Sequence, residues 1–265
     1  MKLNLTALFF AFAVSCWGQN AALDQLYASS PTAPSRQIAQ AKLADFVAAQ
    51  SRKRESAKSE AQFMNRLVKS VHAEFLRSYK PYVQINEPFE TGNYDCLTGT
   101  AIFSIVLTEL GIPHQIIETN YHIFLTIDGK EQKYLLETTD KLLGLKTQAS
   151  EINASLALYK QNKLAPVATG AHYYLFKENL FRAVAPSQLK GLLHFNQAVV
   201  AFNSQRLAIC VEQLELARLN YDNPRVHELA ELVSDAIALS MLSEKEKYVL
   251  LMKLTGFQEP VLALR

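Results

Sequence analysis

The sequence predicts an α+β protein in which a buried, cysteine-bearing helix rests on a small antiparallel sheet and an all-α segment follows. Three observations predict it. Glycine and proline number only nine each in 265 residues, against roughly 12% average usage for the pair, so helices dominate and tight turns are few. Between His114 and Glu137 the hydrophobic period switches to two, the spacing of half-buried strands. From about Pro186 onward helical periodicity returns and no strand pattern interrupts it.

Charge narrows the function classes. Lys and Arg total 27 against 25 Asp and Glu, a formal charge of +2, which gives no support to binding a polyanion such as nucleic acid. The basic run Arg52, Lys53, Arg54 and Lys58 reads as a solvated helix face. Three cysteines supply neither a disulfide framework nor a CxxC-type zinc site. His72, His172, His194 and His227 show no metal-ligand spacing, so no metal and no cofactor is expected.

The elements follow in order. Met1–Gln19 has a basic start, an apolar stretch of about a dozen residues and small residues at its end, the pattern of a secretory signal peptide over 1–21. It is shorter than the roughly twenty residues that span a bilayer, so an exported protein, periplasmic or secreted, is expected. Two outcomes stay open at Cys16: ordinary cleavage between Cys16 and Ala22, or a lipid anchor, since Ala13-Val14-Ser15-Cys16 resembles the bacterial lipoprotein signal. Residues 22–35, with Pro31 and Pro34, read as a linker. Ile38 to Val47 and Phe63 to Leu76 then mark two helices, and Val83–Tyr94 reads as a loop.

The next helix should be buried nearly all round, because almost every position from Leu97 to Leu110 is apolar or small. Asp95 is its N-cap, Gly111-Ile112-Pro113 its stop, and Gly99 marks a close packing contact. Cys96 sits in the first turn. His114–Thr119, His122–Ile127 and Gln132–Glu137 read as strands, the last two joined by the turn Asp128–Glu131. That turn pairs Ile127 with Gln132 and sets His122 directly opposite Glu137, on one face of the sheet. Four helices end the chain: Leu192–Asn203, Leu207–Leu219, Val226–Leu239 and Lys245–Leu254. Ala198, Cys210, Leu214 and Ala217 fall at a spacing that resembles one tetratricopeptide helix pair, and a generic bundle is the equal alternative.

Tyr94-Asp95-Cys96 opening a buried helix, Gly111-Ile112-Pro113 closing it, His122 at the head of a strand and Glu137-Thr138-Thr139 ending the next together resemble the transglutaminase-like superfamily. The resemblance spans about Val68–Asp140. It implies a papain-like domain over 36–165 and a Cys-His-acid triad made of Cys96, His122 and Glu137, with Glu where the family commonly has Asp. The tetratricopeptide-like helical segment then covers 171–265.

A triad of this kind has a physical basis. A helix N-terminus and a nearby imidazolium lower a thiol pKa, the imidazole moves the proton, and the carboxylate holds the ring. An adjacent Asp95 charge works against the thiolate unless its oxygens are tied up in capping. The oxyanion needs the Cys96 N–H and a second donor, for which Gln84, Asn86 and Asn93 lie upstream. His114 is a rival base and Asp140 a rival acid, while Cys210 falls among apolar residues and reads as core. Two functions are expected as alternatives. One is a cysteine-dependent acyl-transfer enzyme on a protein or peptide substrate. The other is a decayed relative that acts as an interaction module, with a protein partner at the C-terminal helices.

Overall fold

The structure, a computed structural model, describes residues 33–161 and 179–257 together with Leu23 and Leu26. The expected signal peptide at 1–21 with Cys16, the division between 165 and 171, and His172 lie outside the described residues.

Helix α1 (Ala33–Glu55) ends in the basic run, where cations meet the negative end of the helix dipole. Arg52 and Lys53 are exposed as expected. Arg54 is not: it donates to the Leu110 carbonyl and lies 5.8 Å from the Phe63 ring centroid. Leu23 and Leu26, inside the stretch read as linker, are buried in the same core. Helix α2 (Glu60–Glu74) starts at Ser59, whose hydroxyl accepts from the Gln62 N–H, and buries Phe63, Met64, Leu67, Val68 and Val71.

The stretch expected as a loop holds a short helix, α3 (Glu87–Glu90), and a short strand, β2 (Asn93–Tyr94), paired in parallel with β1 (Ser78–Tyr79). This pairing sets Tyr79 beside Tyr94 and therefore next to the start of α4 (Cys96–Glu109). Every residue from Leu97 to Leu107 is buried. Asp95 and Thr98 form a reciprocal capping box, and Gly111 at φ +62° supplies the left-handed stop.

Five strands form one antiparallel sheet in the order β6-β5-β4-β3-β7: β3 (His114–Thr119), β4 (Ile123–Asp128), β5 (Lys133–Leu136), β6 (Leu145–Lys146) and β7 (Phe181–Val184). The period of two sorts its faces. Ile116, Leu125, Ile127, Tyr134 and Leu136 turn to the main core with α4, whereas Ile117, Phe124 and Leu135 turn to a second cluster under α5 (Ala149–Lys160). The expected register is off by one residue in each strand. Ile127 pairs with Tyr134, and Asp128 is the last strand residue, opposite Lys133. Glu60 explains the slip, since its carboxylate accepts from the Lys130 and Glu131 N–H groups at 2.9 and 3.0 Å and holds the loop from outside the hairpin.

The C-terminal helices are α6 (Leu189–Asn203), α7 (Leu207–Arg218), α8 (Pro224–Leu239) and α9 (Glu244–Leu254). Ala198, Cys210, Leu214 and Ala217 are all buried. The tightest approach is at Gly191, where an added Cβ would stand 2.6 Å from the Ala217 carbonyl and 2.4 Å from Tyr221 Cβ. The span read as purely helical is not so: β7 belongs to it and pairs with β3. One hydrophobic cluster also runs from Leu23 to Phe257, through both expected units. Buried Glu118 adds a polar tie, accepting from Arg182 of β7, Arg225 of α8 and Tyr221 at 3.2, 2.7 and 2.5 Å. Among the described residues no helix is long and apolar enough to cross a membrane.

Candidate active site

Cys96 opens α4 and is partly buried; Cys96, His122 and Ile123 are among the residues that line one cavity of about 330 Å³. Burial pushes the thiol well up, and the charges of Asp95 and Glu137 add to this. The Leu97 and Ile123 N–H groups pull part of the way back. Asp95 is tied up as expected, with Oδ1 accepting from the Thr98 N–H and hydroxyl, both at 2.8 Å. That satisfies its oxygens without removing its charge from the sulfur.

The short Asn120–Tyr121 connection delivers His122: the Thr119 N–H donates to the His122 carbonyl at 2.8 Å, and Ile123 then starts β4. The ring packs 6.4 Å from Phe124, stacked at 20°, and 5.6 Å from Tyr159, tilted by 31°. Its Nε2 is hydrogen-bonded to Glu137 Oε2. Continuing the observed register puts Thr139, not Glu137, opposite His122, so the pair is diagonal rather than direct. A diagonal pair is about 7–8 Å apart between strands and needs a long side chain to close it. Glu has that length.

Both carboxylate oxygens of Glu137 are fully used. Oε1 accepts from the Thr139 N–H at 3.1 Å and hydroxyl at 2.8 Å, and Oε2 accepts from Tyr159 at 2.9 Å as well as from His122. Burial raises its pKa, yet the His122 hydrogen bond and charge and the Thr139 donors outweigh burial and hold the carboxyl at about 2. An ionised Glu137 fixes the proton on Nε2 and leaves Nδ1 as the ring's acceptor. No hydrogen bond joins Nδ1 to the Cys96 thiol in this structure; the two residues line the same cavity. Two threonines bind the strand end to α4. The Thr138 hydroxyl reaches the Cys96 carbonyl and the Thr100 hydroxyl at 3.5 Å, and a Cβ on Gly99 would stand 3.0 Å from Thr138 Oγ1.

The rivals sit elsewhere. His114 is held by Ser104 at 2.8 Å and the Ile112 carbonyl at 3.0 Å, and Asp140 caps its own turn through the Leu142 and Leu143 N–H groups. Cys210 is fully buried, with burial pushing its thiol up to about 12, and both it and Cys96 are free of disulfides. The three proposed oxyanion donors are not in the cavity. The Asn86 and Asn93 side-chain amides donate to Glu90 and Glu87, and the Gln84 backbone N–H donates to Glu87, all around α3. Tyr79 lines it instead, and burial, with the charges of Cys96 and Asp95, raises its phenol to about 12, so it is a donor at neutral pH. The parallel β1–β2 pair that brings Tyr79 there has no local sequence signal. Tyr159 was equally hidden, since α5 contributes it from beyond the strands. Among the described residues no cluster of His, Cys, Asp and Glu is arranged to hold a metal ion.

Comparison with protein-family models, with curated proteins and with solved structures returned no match.

Proposed function

We propose that the protein is a cysteine-dependent acyl-transfer enzyme acting on amide bonds, with Cys96 as nucleophile, His122 as base and Glu137 as the orienting acid, on a core of papain-like type. The observation that supports this reading is the Glu137 carboxylate, partly buried, ionised and fixed by the Thr139 N–H, the Thr139 hydroxyl and Tyr159 while it bonds the ring of His122, a residue that lines one cavity with Cys96. A purely structural histidine needs no such arrangement. The resemblance around Tyr94-Asp95-Cys96, His122 and Glu137-Thr138-Thr139 supports the same reading.

The chemistry runs in two halves. Cys96 Sγ attacks the amide carbonyl carbon while its proton passes to His122 Nδ1, and the carbonyl oxygen takes negative charge facing the Cys96 N–H and the Tyr79 hydroxyl. The C–N bond then breaks, His122 returns the proton to the leaving amine, and a thioester remains. Water or a second amine attacks that thioester, gives its proton to His122 and restores the thiol. Glu137 steadies the imidazolium at each stage. An exported setting belongs to the same proposal.

One observation favours the non-catalytic alternative: burial and two negative neighbours hold the thiol protonated. General-base transfer meets this, because the proton can leave as sulfur attacks. The experiment is alkylation of Cys96 by iodoacetamide across pH, in wild type and His122→Ala. The enzyme reading expects labelling at pH 7 to be at least about tenfold slower without the base. Equal rates in both proteins, rising only above the free-thiol value of about 8.5, would leave an interaction module.

A further inference from the structure

We propose that α6 forms the substrate-side wall of the Cys96 cavity and that Asn196 grips the main-chain amide of a peptide beside the bond attacked, so that the substrate is a polypeptide with an uncharged, apolar side chain at that point. This rests on the acyl-transfer reading and deepens it.

The wall follows from helix geometry. Leu192, Asn196 and Val199 are spaced by four and three, lie on one stripe of α6 and all line the cavity that holds Cys96 and His122. Leu192 and Val199 are buried, 3% and 5% exposed, and bracket Asn196 above and below. The other polar side chains nearby on the helix are engaged: His194 with Gln213 at 2.9 Å, Gln197 with the Tyr82 carbonyl at 3.1 Å. Asn196 makes no hydrogen bond with any described residue. A carboxamide has one acceptor oxygen and two donor hydrogens, the complement of a peptide group, which offers one N–H and one carbonyl.

The loop that adjoins α6 at the cavity is held in place against strain. Tyr82 has φ +58°, an unfavourable left-handed backbone for a bulky residue, and it lines the cavity while Gln197 holds its carbonyl. The residue next to Asn196 therefore fixes the adjoining loop.

Charge selects the class of side chain. Arg225 and Glu118 both line the cavity, but they are tied to each other at 2.7 Å in a cluster that Arg182 joins at 3.2 Å, and Asp95 is turned into its cap. Thr119 is bonded to His122 and the Asn120 carboxamide oxygen accepts from the Leu180 N–H, while Leu192, Val199, Tyr79 and Tyr82 add lining that favours an apolar or aromatic substrate residue.

The test compares two electrophiles on the full chain: iodoacetamide, too small to reach α6, and a peptidyl diazomethyl ketone with an apolar residue beside the reactive carbon. Mass spectrometry gives the rate of Cys96 modification in wild type, Asn196→Ala and Asn196→Asp. The expected result is that Asn196→Ala slows the peptidyl reagent about tenfold while the iodoacetamide rate stays within about twofold, and that Asn196→Asp, with the acceptor kept and the donor lost, falls between. Unchanged peptidyl labelling in Asn196→Ala overturns the proposal and leaves the acyl-transfer reading standing. Equal slowing of both reagents overturns it too, because Asn196 is then a structural residue. A wild-type Cys96 that reacts no faster with the peptidyl reagent than with iodoacetamide, and no faster than in His122→Ala, overturns both.

Discussion

At the residue scale the site depends on the length of one side chain. Glu137 meets His122 across a diagonal, so Glu137→Asp withdraws the carboxylate by a methylene and breaks the contact. The direct pairing expected from sequence would have made Asp acceptable; the observed register reverses that. Glu137→Asp is expected to slow Cys96-dependent turnover at least about tenfold. Glu137→Gln keeps the reach, loses the charge and is expected to fall comparably, whereas Asp140→Asn should be neutral. Kinetics of the three variants on one amide substrate check this, and a silent Glu137→Asp would mean that the pair is direct. Tyr159→Phe is a finer probe. It removes one donor from Glu137 and keeps the ring that packs on His122. Turnover should drop about tenfold, the lower end of the roughly 1.5–3 kcal/mol that a hydrogen bond to a charged group is worth, with the folded protein intact by circular dichroism.

At the element scale, α4 was readable and the hairpin only partly so, for physical reasons. The Asp95–Thr98 cap, the apolar run and Gly111 are all local signals, and the helix begins and ends where they place it. Asp128-Gly129 is an equally local turn signal, but the loop is set by Glu60 on a distant helix, which no window around the hairpin contains. β7 has four residues and pairs with a strand more than sixty positions earlier, and β1 and β2 have two residues each. Such elements exist only through their partners. Gly99 was readable as a close contact, and its partner turns out to be Thr138, the neighbour of Glu137. Gly99→Ala gains helix propensity of up to about 1 kcal/mol but drives its methyl against Thr138 and the Tyr94 ring at 3.0 and 3.3 Å. The two effects should nearly cancel in the urea midpoint, while turnover falls because the strand end carrying Glu137 is displaced. A variant with higher turnover would show that the contact does not position the acid.

At the scale of the whole molecule, pH acts through buried histidines in all its parts. Burial lowers the pKa of His72 under α4, His114 at the sheet edge and His194 in α6 from the usual 6.5. The unfolded chain therefore takes up protons that the folded chain refuses. Stability is full above the unfolded value and falls as pH drops below about 6.5. Near pH 4 the balance is mixed: Glu137, held at about 2 against 4.5 unfolded, loses its contribution, while Asp95, raised by burial, regains some. The measurement is the urea midpoint from pH 8 to pH 5, expected to decline, and a flat profile would contradict it. His72 has both ring nitrogens buried without a partner between the rings of Tyr94 and Phe103, so His72→Phe should remove part of the slope.

The strand β7 has a consequence for the order in which the chain is made. The proposed triad of Cys96, His122 and Glu137 is complete by Glu137, yet β3 keeps a bare row of backbone donors and acceptors until Phe181–Val184 emerges to cover it. An uncovered edge of this kind recruits other chains as readily as its own. A nascent or cut chain ending at 165 thus holds all three residues of the proposed triad and remains sticky. Expressed alone, that fragment should accumulate in sedimentable aggregates, and a separately supplied 171–265 piece should restore solubility by lending the missing strand.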